Sequence, residues 1–150
     1  MIIDAHTHFT TAPPQLQAYR GQQITNLAKP IKAKLQISDE ELARSMQGQL
    51  NRMKECGIDR LLFSPQAGAM GHHFGSPLVS RYWSEACNDL IARAATMFPE
   101  RISPVCQLPQ SPGVPPSEWA DELDRCVNDL GFVGCNVNPD VAGGREPLTP

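Results

Sequence analysis

Two of the chain's four histidines, His6 and His8, close the N-terminal run Met-Ile-Ile-Asp-Ala-His-Thr-His. The β-branched Ile2 and Ile3 mark this run as a strand, in which alternate side chains leave on the same face. His6 and His8 then project together from one rigid strand end, a preformed pair of nitrogen ligands for a zinc-like divalent metal. Asp4 falls on that face by the same alternation, placed either to orient a ligand or to anchor the floor beneath it. A solvated, idle pair of imidazoles is the plain alternative; the apolar lead-in and the Asp4 spacing favour the metal.

Further polar residues gather where other apolar runs end. Ser64 and Gln66 close residues 58–64 and open the loop beyond. They read either as hydrogen-bond donors to a substrate carboxylate or as caps on the loop backbone. His72 and His73 follow on the Gly-bearing loop 66–77, with His73 over the expected mouth, as a substrate contact or as a surface histidine. Asn136 and Asn138 end the run 132–138 and leave on one face, where an unsatisfied amide is costly. For Asn136 the favoured role is tying down the Pro139 turn, and for Asn138 a substrate contact stays open.

These positions need a scaffold, and the rest of the chain spells one out. Ser38 and Glu41 form a Ser-x-x-Glu capping box. Leu42, Met46, Leu50 and Met53 follow at helical spacing, and Gly57 stops the helix. A second helix is expected over about 80–98, burying Tyr82, Trp83, Ala86, Leu90, Ile91 and Ala94. A third, capped by Ser117 and stopped by Gly131, buries Trp119, Leu123, Cys126, Val127 and Leu130. Asn88 reads as a helix-to-loop tether. Strands are expected at the N-terminus and over 58–64, 102–108 and 132–138, with Pro104 a complication inside the third. Residues 10–37 read as a long excursion with room for a short helix.

Strands alternating with helices give a parallel sheet. The long loops follow the strands, so the functional face lies at the strands' C-terminal ends, as in a (β/α)₈ barrel. The fold class is therefore α/β, the N-terminal half of a TIM barrel with about four parallel strands. A complete barrel takes eight strands and roughly 250 residues, and residues 143–150 are loop-like. Residues 1–150 are thus expected to be half of a single barrel domain in a longer enzyme. A complete four-stranded open α/β domain is the rival.

Composition excludes several classes. With 41% hydrophobic and 19% charged residues, the chain is an ordinary globular domain. A net charge of −3 with scattered Lys and Arg leaves no basic footprint for nucleic acid or a membrane surface. Neither a signal peptide nor a membrane span is visible, so the expected location is cytoplasmic. Five widely spaced cysteines without a CxxC read as buried free thiols of a reducing compartment.

The landmarks resemble the metal-dependent amidohydrolase superfamily, in the branch called amidohydrolase 2, whose first strand ends in Asp-x-His-x-His. Within that branch the chain most resembles the 4-oxalomesaconate hydratase family. The matching stretches are Phe-Ser-Pro-Gln-Ala-Gly-Ala-Met (63–70), Ala-Cys-Asn-Asp-Leu-Ile-Ala-Arg (86–93), Leu-Pro-Gln-Ser-Pro (108–112) and Leu-Gly-Phe-Val-Gly-Cys-Asn-Val-Asn-Pro-Asp (130–140). The resemblance implies a TIM barrel, a divalent metal, most simply Zn²⁺, on His6 and His8, and hydration of 4-oxalomesaconate to 4-carboxy-4-hydroxy-2-oxoadipate in bacterial protocatechuate or gallate breakdown. Ser64, Gln66, His73 and Asn138 are then the candidate contacts to a small polycarboxylate. Gln66 stands where the family is expected to carry an arginine, which would clamp a carboxylate bidentately. The remaining metal ligands and the acid/base group are expected beyond residue 150. The piece alone should be inactive, and the full-length form a homo-oligomer. The alternatives are a decarboxylase of the aminocarboxymuconate-semialdehyde or resorcylate type and, from another class, a non-catalytic binding module.

Overall fold

In the computed structural model, which describes residues 1–141, the elements run β1 (Ile3–Thr7), α1 (Pro14–Thr25), α2 (Asp39–Cys56), β2 (Arg60–Phe63), α3 (Pro77–Met97), β3 (Ile102–Gln107), α4 (Pro116–Asp124) and β4 (Gly134–Asn136). The loop-like reading of residues 143–150 lies outside the described residues. The four strands form one sheet in the order β1-β2-β3-β4, and every pairing is parallel. Among the described residues this is three successive βα units and a fourth strand of a half-barrel, with the C-terminal strand ends all on one side.

Local chemistry explains most boundaries. Ser38 Oγ accepts from Glu41 N at 3.2 Å, and Glu41 returns a carboxylate oxygen to Ser38 N at 2.9 Å, closing the box at the start of α2. Gly57 ends the helix at φ 67°, where a Cβ would be strained. Ser38→Ala is expected to cost about 1 kcal/mol, read as a lower urea midpoint with an unchanged slope. Helix α3 begins at Pro77, before the expected residue 80, because proline suits the first helical turn. Proline does the same for α4, so Ser117 lies inside that helix and Pro115, not Ser117, precedes it.

Pro104 sits within β3 without breaking the sheet. Its carbonyl accepts from Val133 N at 2.9 Å, and its missing N–H falls outside the β3–β4 ladder, which starts at the Val105–Gly134 pair. The excursion 10–37 holds more structure than its irregular pattern suggests. Helix α1 buries Leu16 and Tyr19. The Tyr19 hydroxyl (2.9 Å) and the Gln23 amide (2.7 Å) both donate to the Ile31 carbonyl and pin the return stretch.

The core lies between the sheet and helices α1 to α3. Leu42, Met46 and Met53 of α2, Leu61 and Phe63 of β2, and Val79, Trp83, Leu90 and Ile91 of α3 are all buried in it. After α4 the chain makes a wide π turn, Arg125–Asp129, in which Leu130 N donates to Arg125 O at 3.2 Å. That turn spends an extra residue and shifts the helical phase. Val127, expected on the buried face, is therefore 43% exposed. Glu122, which lies before the turn on the same stripe, is only 6% exposed. All five cysteines are free, and Cys56 is exposed rather than buried. Among the described residues no helix is long and apolar enough to cross a membrane.

Candidate metal centre

Strand β1 is irregular where its histidines emerge. Its pairing with β2 runs from Asp4–Leu61 to Thr7–Phe63, so β1 carries one extra residue across that interval. Asp4 Oδ1 accepts from the backbone N of His6 at 3.2 Å. Asp4 thus ties the strand's own backbone, through His6 N rather than through an imidazole ring.

Both imidazoles turn toward each other beyond this point. His6 Nε2 and His8 Nε2 are 3.1 Å apart, with the rings edge to face at 83°. At a Zn–N distance of about 2.0–2.1 Å, two ligands of a tetrahedral ion lie roughly 3.3 Å apart. The pair is therefore spaced as two ligands of one divalent cation would be. His8 Nδ1 lies 3.0 Å from the Ser64 carbonyl oxygen. A carbonyl only accepts, so Nδ1 carries the proton and Nε2 keeps its lone pair. This is the arrangement by which a second hydrogen bond fixes a ligating histidine's tautomer.

Ser64 owes its place to three contacts. Its backbone N donates to Thr7 O at 2.9 Å. Its hydroxyl lies 3.2 Å from His8 Nδ1, and Asn136 Nδ2 donates to that hydroxyl at 2.8 Å. A serine at the end of β2 and an asparagine at the end of β4 thus brace the β1 histidine across the mouth. Among the described residues no group of three or more His, Cys, Asp and Glu is placed to hold a metal ion. The donors present fit two positions of a metal shell, and such shells use three or four protein ligands.

Beside His6 opens a cleft of about 380 Å³, lined by His72, Gln107, Gln110, Asn136 and Asn138 among others. The other candidate residues divide around it. Gln66 is exposed and lines a separate, small apolar recess with Phe9 and Trp83. His73 packs edge to face on Phe74 at 4.5 Å and lies over Gly71, where a Cβ would come within 2.7 Å of its ring. Of the two adjacent histidines it is His72 that lines the cleft. Asn138 does line it, but its backbone N and O are held by the Gln110 amide at 2.7 and 3.3 Å, and its side-chain oxygen accepts from Asp140 N at 3.0 Å. Asn138 therefore shapes the Pro139 turn, while Asn136 reaches Ser64.

Sequence reasoning singled out neither His72 nor Gln107. Burial, and after it the charge of the neighbouring His73, pushes the His72 pKa down to about 4. A base whose pKa is depressed on folding takes up its proton more readily unfolded. Its contribution to stability is present above the ordinary value near 6.5 and lost as pH falls toward 4, by up to about 3 kcal/mol. The stability of a His72→Gln variant should accordingly fall less steeply between pH 6.5 and 4, as read by urea midpoints.

The amidohydrolase family model Amidohydro_2 matches residues 3–150. The chain is 44% identical over 155 residues to the 2-keto-4-carboxy-3-hexenedioate hydratase of Sphingobium sp., covering 99% of this chain and 46% of that protein. Its structure superposes on 4-oxalomesaconate hydratase from Rhodopseudomonas palustris with a TM-score of 0.85 and 42% identity, over 93% of this chain and 43% of that one. A dihydroxybenzoic acid decarboxylase from Polaromonas sp., solved with bound manganese, gives a TM-score of 0.58 and 25% identity, over 92% of this chain and 39% of its own. The chain spans less than half the length of each. Its four parallel strands and their helices match the N-terminal part of an amidohydrolase TIM barrel, and the chain belongs to the Amidohydro_2 amidohydrolases.

Proposed function

We propose that the protein carrying this chain is a metal-dependent hydro-lyase that adds water to 4-oxalomesaconate, giving 4-carboxy-4-hydroxy-2-oxoadipate. The observation that carries this reading is the likeness to hydratases along nearly the whole chain, at 42–44% identity. His6 and His8 would hold a divalent ion, which when bound would supply Lewis acidity toward water or a substrate oxygen. The chain's own part is positional. Ser64 fixes the His8 tautomer so that its Nε2 lone pair faces His6, Asn136 steadies Ser64, and the cleft beside His6 receives the acid. In the 2-keto-3-ene form of the acid, the form for which the Sphingobium relative is named, the double bond is conjugated with the oxo group, and the water oxygen bonds to its far carbon. The electron pair moves toward the oxo group, and a proton returns to the carbon between. The same reading takes zinc as the ion, the cytoplasm as the compartment, a homo-oligomer as the assembled form, and bacterial protocatechuate or gallate degradation as the setting.

A metal-dependent decarboxylation is the second reading, favoured by the fold shared with the dihydroxybenzoic acid decarboxylase. The test is to incubate the full-length, zinc-loaded protein with 4-oxalomesaconate and, separately, with 2,6-dihydroxybenzoate. Hydration without gas supports the proposal. Release of carbon dioxide from the aromatic acid, with 4-oxalomesaconate untouched, replaces it with the second reading.

A further inference from the structure

Most polar side chains around the cleft are committed to one another. Gln110 is spent on Asn138, and Asn136 on Ser64. Two are not. The side-chain amide of Gln107 has both its nitrogen and its oxygen buried without a partner, and so does His72 Nε2. These residues are 2% and 3% exposed and both line the cleft. A buried polar atom left unpaired costs on the order of 1–3 kcal/mol, so such groups are normally paired.

Both are held rigidly despite lacking a partner. The Asn88 amide grips the Gln107 backbone from both sides, donating to its O and accepting from its N, each at 2.9 Å. His72 is fixed through its own carbonyl, which accepts from Ser111 Oγ at 3.0 Å, and through Nδ1, which lies 2.6 Å from Ser80 Oγ. Among the described residues Ser80 Oγ has no other hydrogen-bond partner. The arrangement that uses its single proton has Ser80 donating to Nδ1, which leaves the His72 proton on Nε2. The cleft therefore offers two neutral donors, His72 Nε2–H and the Gln107 Nε2 amide, with no lysine or arginine among the residues lining it.

We propose that His72 Nε2–H and the Gln107 amide together form the subsite for one carboxylate of the substrate, beside the His6–His8 pair. This rests on the proposed function for the identity of the acid. The class of ligand follows from the two donors, which an oxyanion accepts and an apolar group would leave unpaired; Gln107 Oε1, the remaining acceptor, suits a hydroxyl or water beside that oxyanion. Neutral donors suit an acid that must also be released, since hydrogen bonds to a charged acceptor are stronger than neutral ones yet lack the grip of an arginine fork. His72 stays uncharged in this role at neutral pH, because burial holds its pKa down.

The test uses the full-length, metal-loaded protein and its Gln107→Glu and His72→Gln variants. Two readouts are taken: the kinetics of 4-oxalomesaconate hydration, and calorimetric binding of 2-oxoadipate, an unreactive oxo-dicarboxylate. Gln107→Glu keeps the shape and sets a carboxylate against the ligand's. It should raise KM and weaken 2-oxoadipate binding by about 10- to 100-fold, with kcat changed less than about 3-fold. His72→Gln should weaken both by about 10-fold, and thermal melts establish that each variant is folded. Folded variants with wild-type KM and wild-type binding overturn the subsite. If the wild type hydrates nothing but binds 2-oxoadipate, and Gln107→Glu loses that binding, the hydratase reading falls and the subsite stands. Absence of both turnover and binding in the wild type overturns both.

Discussion

His8→Ala in the full-length enzyme is expected to lower metal-dependent turnover by about a thousandfold or more, since even partners of a metal ligand are worth roughly 10- to 100-fold. The effect on folding should be small. His8 stands at the mouth, half-buried, and its loss removes one neutral hydrogen bond to the Ser64 carbonyl, worth about 1 kcal/mol. Bound metal, measured after dialysis against trace chelator, should fall in parallel with activity. A variant that is stripped, titrated with zinc and returned to wild-type turnover would remove His8 from the centre. His6→Ala should behave alike, because the two nitrogens face one another at 3.1 Å and a single ion would need both.

How far the sequence discloses this centre depends on which interactions are local. The HxH pair is legible because period-two alternation is a property of the strand alone. The capping box, the Gly57 stop and the alternation of strands with helices are legible for the same reason, each depending on residues a few positions apart. The roles at the mouth are not. Ser64 acts through its backbone carbonyl on a histidine 56 residues away, and a carbonyl leaves no mark on residue type. The exchange of duties between Asn136 and Asn138 follows from where Gln110 and Ser64 sit in space. The choice between His72 and His73 turns on Ser80 and Gly71, and adjacent loop residues give no period by which to separate them.

Glu122 could have been noticed. Trp119, Glu122, Leu123 and Cys126 fall at i, i+3, i+4 and i+7, so a carboxylate stands on the apolar stripe of α4. The phase slip that exposes Val127 has no such signature, because a π turn depends on how the helix end meets its neighbours.

That buried carboxylate carries the second large effect. Arg125 grips Glu122 with a fork, Nε to Oε2 and Nη2 to Oε1, both at 2.8 Å, and its third nitrogen reaches Asp89 at 2.7 Å. Glu122, and then Asp89, hold the guanidinium's pKa well above its ordinary value, against the cost of burial. On its other side Glu122 Oε1 accepts from Asn88 Nδ2 at 2.7 Å, the amide that clamps the Gln107 backbone. Arg125→Ala would strand a charge in the interior with only Asn88 and the Cys126 thiol as partners. The expected loss is about 3–5 kcal/mol, read from urea unfolding at neutral pH. Arg125→Lys should lose less, since it keeps the charge but not the two-pronged geometry. Adding Glu122→Gln to Arg125→Ala should return part of the loss, because a neutral amide can still accept from Asn88 without a charge to strand. The same variants report on function through Gln107: Arg125→Ala should raise KM as the β3 end loosens, and the double variant should restore it in step with stability. A loss below about 1 kcal/mol would put the Arg125–Glu122 pair with exposed surface ion pairs, and the clamp on Gln107 would then have to rest on Asn88 alone.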